Sequence, residues 1–336
     1  MKPTKIAING FGRIGRSFFR DTFELPGLDV VAVNDLTDPK TLAYLLKYDS
    51  VYGRYSKSVE AKDGHFTVDG QEIKVYAEKD PARLPWKELG IDIVVESTGF
   101  FADGAKAKAH LDAGAKRVVI TAPAKGDVVT ALVGVNDDRF DGKNPITCNA
   151  SCTTNSVAPV MQIMLDNFGV KRAVMTTVHG YTATQKLVDG PDEKDPRRGR
   201  AAAANIVPST TGAAEAVIKS IPELEGKFQA ESVRVPTITG SLSIMTVMTE
   251  KKASEKEVND VFRKSAQDPR WSKILKVIED PIVSSDIIGE PYGAIVDLTL
   301  TRTLGDDLVK VFSWYDNEAG YTATLVEHVR RIAENL

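Results

Sequence analysis

The sequence predicts an α/β chain: a doubly wound, largely parallel sheet first, then an α+β domain on a mainly antiparallel sheet. Three observations carry this. Across residues 1–150, near-continuous Val/Ile runs alternate with helical patterns, as do strands buried on both faces of a parallel sheet. Beyond residue 150 several β-like runs alternate apolar residues with Thr or Ser, which suits an antiparallel sheet with one wetter face. The length, 336 residues, is a soft prior for two domains, and no Gly/Ser- or Pro-rich linker separates them.

Taken in order, Thr4–Asn9 is a short apolar run that ends at Gly10. A helical pattern follows, with Ile14, Phe18 and Phe19 on one side. Leu28–Asn34 is a second β-rich run, and Ile91–Val95, Arg117–Ile120, Ala131–Val135 and Ile146–Cys148 continue the series. Thr153–Phe168 places Val157, Val160, Met161, Met164, Leu165 and Phe168 on one helical stripe. Arg172–Val178, Ser241–Met248, Ala294–Leu300 and Leu308–Trp314 are the β-like stretches of the second half. Ser254 with Glu257 forms a capping box ahead of Val258, Val261 and Phe262. Gly320–Leu336 is a final amphipathic helix with Leu325, Val329 and Ile332 on one side. Asp189–Arg200 is the most charged stretch and contains Gly and Pro; it reads as an exposed loop, either solvated or lying at a subunit contact or ligand rim.

Composition excludes several classes. The chain is 42% hydrophobic and 26% charged, neither disordered nor collagen-like. Forty-three Lys and Arg against forty-six Asp and Glu leave a net charge of −3, without the basic excess of a nucleic-acid module. The longest uncharged run, Asn144–Leu165, is broken by Asn, Ser, Thr and Pro, so no membrane span is expected. Asn9 and Arg13 interrupt what would be the apolar region of a signal peptide. The two cysteines, Cys148 and Cys152, make neither a disulfide framework nor a metal site. A reducing cytoplasm and no metal are the expectation.

Gly10-Phe11-Gly12-Arg13-Ile14-Gly15 matches G-x-G-x-x-G, between a β-rich run and a helical pattern. In a dinucleotide site the first glycine permits the tight turn, the second lets backbone approach a pyrophosphate, and the third lets helix pack on strand. The pyrophosphate then meets unpaired N–H groups at the positive end of the helix. The same hexapeptide can also be a plain structural turn. Asp35, twenty residues past Gly15, stands where a carboxylate would take the ribose hydroxyls and repel a 2′-phosphate, which favours NAD over NADP.

Cys152 lies just ahead of the Thr153–Phe168 helix, where the helix dipole would stabilise a thiolate. Of the four histidines, His328 falls in the terminal helix, His110 in a helical Ala/Lys stretch and His65 after the Asp63-Gly64 turn. His179 ends a β-like run and precedes Gly180, so it projects from a strand end. Cys152 and His179 read either as a nucleophile and its base or as a small buried hydrophobe and a turn cap. Cys148, inside a β-like run, reads as an inert thiol.

These residues also carry a resemblance. N-G-F-G-R-I-G-R at Asn9–Arg16, N-D-L at Asn34–Leu36 and S-C-T-T-N at Ser151–Asn155 are followed by H-G-Y-T-A-T-Q at His179–Gln185 and S-T-T-G-A-A at Ser209–Ala214. R-V-P-T at Arg234–Thr237 and W-Y-D-N-E-A-G-Y at Trp314–Tyr321 complete the set. In these seven motifs and their order the chain closely resembles the phosphorylating glyceraldehyde-3-phosphate dehydrogenase family over nearly its whole length.

The resemblance implies a doubly wound Rossmann NAD domain over residues 1–150, a catalytic domain over 151–316, and a last helix, 317–336, that returns to the first domain. It implies that Cys152 is the nucleophile, forming a thiohemiacetal and then a thioester, and that His179 is its base. The Cys152 N–H and the His179 ring resemble the family's oxyanion stabilisers. Thr182 and Arg234 resemble the site for the substrate's C3 phosphate. Ser151, Thr153, Thr211, Gly212 and Arg198 resemble the site for the attacking inorganic phosphate. Gly10, Gly12, Arg13, Ile14 and Gly15 are implied in pyrophosphate binding, Asp35 at the ribose, Lys79 and Thr121 on the adenine side, and Asn317 at the nicotinamide amide. The family is usually a cytoplasmic homotetramer with the charged loop packed against a neighbour. Ala124, where many relatives carry serine, and the plain run Ala201–Ala204 depart from the pattern without touching a residue assigned to chemistry.

Two rival readings stand beside this one. An erythrose-4-phosphate dehydrogenase shares the nucleophile and base and commonly releases its thioester to water. A non-catalytic Rossmann-type binder, with an RNA or adhesion role, would have lost nucleophile, base or phosphate ligands, all of which are present.

Overall fold

The computed structural model describes residues 2–336, which divide into two compact units. The first holds residues up to Leu132, Asp137–Ala150 and Leu325–Leu336; the second holds Val133–Asn136 and Ser151–Thr324.

In the first unit, β1 (Thr4–Asn9), α1 (Arg13–Thr22) and β2 (Leu28–Asn34) form the opening βαβ unit. Ile6, Ala7 and Ile8 of β1 are wholly buried, as its unbroken apolar run requires. Helix α1 buries Phe18 and Phe19, and Phe19 meets Phe11 and Phe66 edge to face. Next come α2 (Pro39–Lys47), capped by Asp38, and the two-residue strands β3 (Tyr48–Asp49) and β4 (Gly53–Arg54). β5 (Val59–Lys62), β6 (His65–Val68) and β7 (Gln71–Tyr76) follow, then α3 (Trp86–Leu89), β8 (Ile93–Glu96), α4 (Gly104–Asp112), β9 (Arg117–Ile120), β10 (Val129–Thr130) and β11 (Ile146–Cys148). The nine-stranded sheet runs β10-β11-β9-β8-β1-β2-β7-β6-β5. It is parallel from β10 to β7 and antiparallel through β7, β6 and β5.

That antiparallel edge was legible but not read. Alternating apolar residues flank Asp63-Gly64 and Asp69-Gly70, and Gly64, Asp69 and Gly70 all take positive φ. Asp-Gly between alternating runs is a strong hairpin signal.

The second unit begins with α5 (Cys152–Phe168), capped by Ser151. It continues with β12 (Arg172–Gly180), β13 (Val207–Ser209), α6 (Ala213–Ser220), β14 (Phe228–Val235), β15 (Ser241–Met248) and α7 (Glu255–Gln267). β16 (Leu275–Ile278), β17 (Ala294–Asp297), β18 (Arg302–Leu304) and β19 (Leu308–Tyr315) lead into α8 (Ala319–Glu334). Strand order is β13-β14-β12-β15-β19-β17-β16, with β18 paired to β19. Only β12–β14 and β16–β17 pair in parallel, so the sheet is mainly antiparallel. The capping box of Ser254 and Glu257 is present and opens α7 over buried Val258 and Phe262.

One expected strand is absent and another is shorter than its apolar run. In place of a strand over Ala131–Val135, pairing stops at Thr130, because Gly134 turns into the left-handed region. A Cβ at Gly134 would stand 2.9 Å from Trp271, so only glycine fits that turn. The run Ala294–Leu300 ends as a strand at Asp297, whose carboxylate takes the Thr299 N–H and hydroxyl and closes a turn. Among the described residues no helix is long and apolar enough to cross a membrane.

Candidate active site

The first unit carries a cleft of about 830 Å³ at the carboxyl ends of its parallel strands, where doubly wound sheets hold ligands. Of the residues expected at a dinucleotide, Gly10, Gly12, Asp35 and Lys79 line it; Thr121 does not, its N–H donating to the Glu96 carbonyl. The glycines are demanded locally. Gly10 takes φ +91°, and a Cβ there would lie 2.7 Å from the Thr98 nitrogen. A Cβ on Gly15 would lie 2.2 Å from the Gly10 carbonyl oxygen, so the close packing of α1 on β1 needs glycine. A Cβ on Gly12 would meet nothing within 4 Å: the space over the start of α1 is open, and no side chain caps that helix. Asp35 accepts from the Phe11 and Thr37 N–H groups, which fixes its carboxylate beside the glycine turn. Arg13 sends its side chain to Asp49 and over the Tyr52 ring, leaving its backbone, with that of Ile14, at the helix start. An open cradle, an uncapped helix start and a fixed ribose-type carboxylate fit a dinucleotide diphosphate.

Several lining residues escaped sequence reasoning: Asn9, Asn34, Ser97, Thr98 and Phe100. The signal for two of them was Ser97-Thr98-Gly99 directly after a β-rich run. Beneath them lies a buried network. Asn34 donates to Asn9, Asn9 donates to Glu96, and Glu96 also accepts from the Thr98 N–H and from His110 Nε2 at 2.9 Å. Trp86 Nε1 donates to His110 Nδ1, which leaves the imidazole proton on Nε2 for Glu96. His110 thus has a structural task and is no candidate base.

In the second unit Cys152 opens α5 and His179 stands near the end of β12, with Cys152 Sγ 3.4 Å from His179 Nε2. For Nε2 to take the thiol proton, the ring must carry its own proton on Nδ1, which faces the Gly180 carbonyl at 2.6 Å. Arg234, from β14, stands across the parallel β12–β14 pair and places a guanidinium nitrogen 2.6 Å from the same Nδ1. Burial, then the Arg234 charge, holds the His179 pKa down at about 3, so the ring is a neutral base. Here one expectation is corrected. The helix N-terminus was expected to depress the Cys152 thiol, but burial pushes it up. The Arg234 charge and hydrogen bonds from Thr153 act in the opposite direction and do not overcome it.

Arg234 donates to the Gly180 carbonyl, not to a carboxylate, and so lies beside His179 Nδ1. Its own pKa is lowered, first by burial, with the charge of Arg198 adding to that. Arg198 lies 3.9 Å from Asp192. Thr211 and Gly212 stand at the start of α6, where the Thr211 hydroxyl accepts from the Ala213 N–H. Ser151 spends its hydroxyl capping α5 through the Thr154 N–H. Thr153 is buried with its hydroxyl 3.0 Å from Tyr315. Thr182 sits in the loop after β12, its hydroxyl 2.9 Å from that of Thr184. Asn317 Oδ1 accepts from the Thr239 hydroxyl, the Gly240 N–H and the Ser241 hydroxyl, which fixes the amide so that Nδ2 is its outward donor. Cys148 is fully buried. Among the described residues no group of three or more His, Cys, Asp or Glu could hold a metal ion.

Comparison with known proteins adds the following. Residues 4–104 match the family model for the glyceraldehyde 3-phosphate dehydrogenase NAD binding domain, and residues 151–317 match that for its C-terminal domain. The chain is 49% identical over 336 residues to the glyceraldehyde-3-phosphate dehydrogenase of Borreliella burgdorferi, covering 98% of this chain and 100% of the relative. It is 48% identical to those of Clostridium pasteurianum and Clostridium acetobutylicum, again over 98% of this chain and 99% and 98% of the relatives.

Proposed function

The chain belongs to the glyceraldehyde-3-phosphate dehydrogenase family, and from that premise we propose that it oxidises glyceraldehyde 3-phosphate with NAD and inorganic phosphate to an acyl phosphate, reversibly. The observation that carries the mechanism is the Cys152–His179–Arg234 constellation at the start of α5. His179 Nε2 takes the Cys152 proton as sulfur adds to the aldehyde carbon, giving a thiohemiacetal on Cys152. The Cys152 N–H, at the helix start, would serve the oxygen that gains charge. His179 passes that proton to the oxygen, which completes the thiohemiacetal hydroxyl, and takes it back as hydride leaves the same carbon. NAD when bound would supply the hydride acceptor; the Gly10–Gly15 turn and Asp35 would hold its diphosphate and adenosine ribose, and Asn317 would serve the nicotinamide amide. The thioester left on Cys152 is attacked by phosphate oxygen, and the C–S bond breaks to return the thiolate.

Arg234 with Thr182 holds the substrate's C3 phosphate; Arg198 with Thr211 and Gly212 holds the attacking phosphate. Guanidinium forks and helix-start N–H groups suit both anions. Ser151 and Thr153 support the second site through backbone rather than hydroxyl, since both hydroxyls are engaged within the protein. Lys79 serves the adenine side of the cleft. The cofactor domain proposed over residues 1–150 with 317–336 and the catalytic domain over 151–316 differ from the two compact units at residues 133–136 and 317–324, which lie in the second unit. The protein works in the cytoplasm as a homotetramer; the exposed apolar side chains Leu187, Val188 and Ile206 support a covered face beside the charged loop. A light-scattering mass of one chain would contradict that assembly.

The test of the reaction is the initial rate of nicotinamide reduction with glyceraldehyde 3-phosphate and NAD, with and without phosphate. Fast turnover that needs phosphate is expected. Turnover indifferent to phosphate would make water the thioester's acceptor and move the erythrose-4-phosphate reading ahead.

A further inference from the structure

Beneath Cys152 lies a layer of hydroxyls to which the reaction above gives no task. Ser232 on β14, Thr177 on β12, Ser243 on β15 and Ser313 on β19 stand side by side in one register row across four strands. All four are buried, in a place where a sheet facing a helix would ordinarily present Val or Ile. Helix α5 meets this layer with two more hydroxyls. Ser156 Oγ lies 3.0 Å from Ser313 Oγ, and Thr153 Oγ1 lies 3.0 Å from Tyr315 OH. Tyr315 OH in turn lies 2.7 Å from Thr177 Oγ1.

A chain of hydroxyls therefore runs from the middle of the sheet to the nucleophile: Thr177, Tyr315, Thr153, Cys152. Its direction follows from proton counting. Each hydroxyl has one proton to give. Thr153 is the residue after Cys152 at the helix start, and its hydroxyl and N–H favour the Cys152 thiolate, which can only accept. Thr153 Oγ1 must then accept from Tyr315, and the Tyr315 oxygen from Thr177. Burial pushes the Tyr315 hydroxyl pKa up, so it keeps its proton across the working range. Hydrogen bonds in series polarise one another, most of all in a dry interior and toward a charge. The Tyr315 ring also meets the His179 imidazole edge to face at 5.9 Å, so one side chain braces both members of the catalytic pair.

We propose that Thr177, Tyr315 and Thr153 form a directed hydroxyl relay that stabilises the Cys152 thiolate, with Tyr315 and Thr177 as positioning residues acting through Thr153. This rests on Cys152 being the nucleophile. It explains why the buried row is hydroxylic where the relay passes, and it offsets the rise that burial imposes on the thiol.

The test is the pH dependence of Cys152 alkylation by iodoacetamide in the full-length protein without substrate, with the modified peptide identified by mass; Cys148 is fully buried. In Tyr315→Phe, which removes only the hydroxyl, the apparent thiol pKa is expected to rise by about one unit, roughly a tenfold loss of thiolate at a fixed pH below it. Thr177→Val should shift it in the same direction by less, and carries the test if the tyrosine variant does not fold. Ser232→Ala is the control: its hydroxyl lies in the same row but has no hydrogen-bond partner, so the profile should stay as in the wild type. A wild-type profile in both Tyr315→Phe and Thr177→Val, or an equal shift in Ser232→Ala, would overturn the relay and leave a merely structural hydroxyl layer. Failure of the underlying reading is seen separately, as retained aldehyde oxidation in Cys152→Ser.

Discussion

At the scale of the residue, the site is a set of opposed influences on two protons. Burial pushes Cys152 up and His179 down, which favours the uncharged form of each. Arg234 opposes the first movement and adds to the second: its charge favours the thiolate and keeps His179 from taking a proton prematurely. A phosphate seated on Arg234 would cancel part of that charge, letting His179 accept a proton only when substrate is present. Arg234→Ala should therefore raise KM for the aldehyde phosphate by a factor of ten or more while KM for NAD changes little, a charged hydrogen bond being worth about 1.5–3 kcal/mol. Equal losses for substrate and cofactor would remove Arg234 from the phosphate site. Cys152 and His179 were both picked out from their positions at a helix start and a strand end. Arg234 was not, because nothing local marks one arginine among many; only motif resemblance raised it.

At the scale of the element, α5 links fold to chemistry. Its N-cap is Ser151, whose hydroxyl accepts from the Thr154 N–H, and its first residue is the nucleophile. The residue before the cap, Ala150, holds a positive φ of 50° that a side chain rarely adopts. Ser151→Ala should cost about 1 kcal/mol of stability in urea unfolding, the usual loss for an N-cap. It should also lower kcat, since Cys152 is the next residue in the chain. Unchanged stability would mean that the cap is redundant. Helices with capping signals were legible in advance: Ser254 and Glu257 announced α7. Strand ends were less so. The run Ala131–Val135 is apolar enough for a strand, yet Gly134 must turn to admit Trp271, and a close approach of that kind has no signature in a local pattern.

At the scale of the whole molecule, buried histidines make the fold acid-sensitive. Burial holds both His179 and His328 at about 3, well below their ordinary value near 6.5. The unfolded chain therefore takes up protons that the folded chain refuses. The stability they allow is complete above about pH 6.5 and is lost as pH falls toward 3, by up to ~1.4 kcal/mol per pH unit for each histidine. Tm should decline steadily between pH 7 and 5; a flat profile would show that these rings are not buried neutral. His328→Gln, which keeps Thr147 and Asn149 within reach, should flatten the curve. The sequence by itself determined the alternation of strands and helices, the glycine turn with Asp35, and Cys152 at a helix start, because each rests on residues close together in the chain. Only the tertiary structure decided that Arg234 stands against His179, that Thr177 and Tyr315 lie under Thr153, and that burial acts to raise the Cys152 thiol. Those facts depend on which strands pair and in what register, and on how much water packing excludes, quantities that belong to the folded chain and to no segment of it.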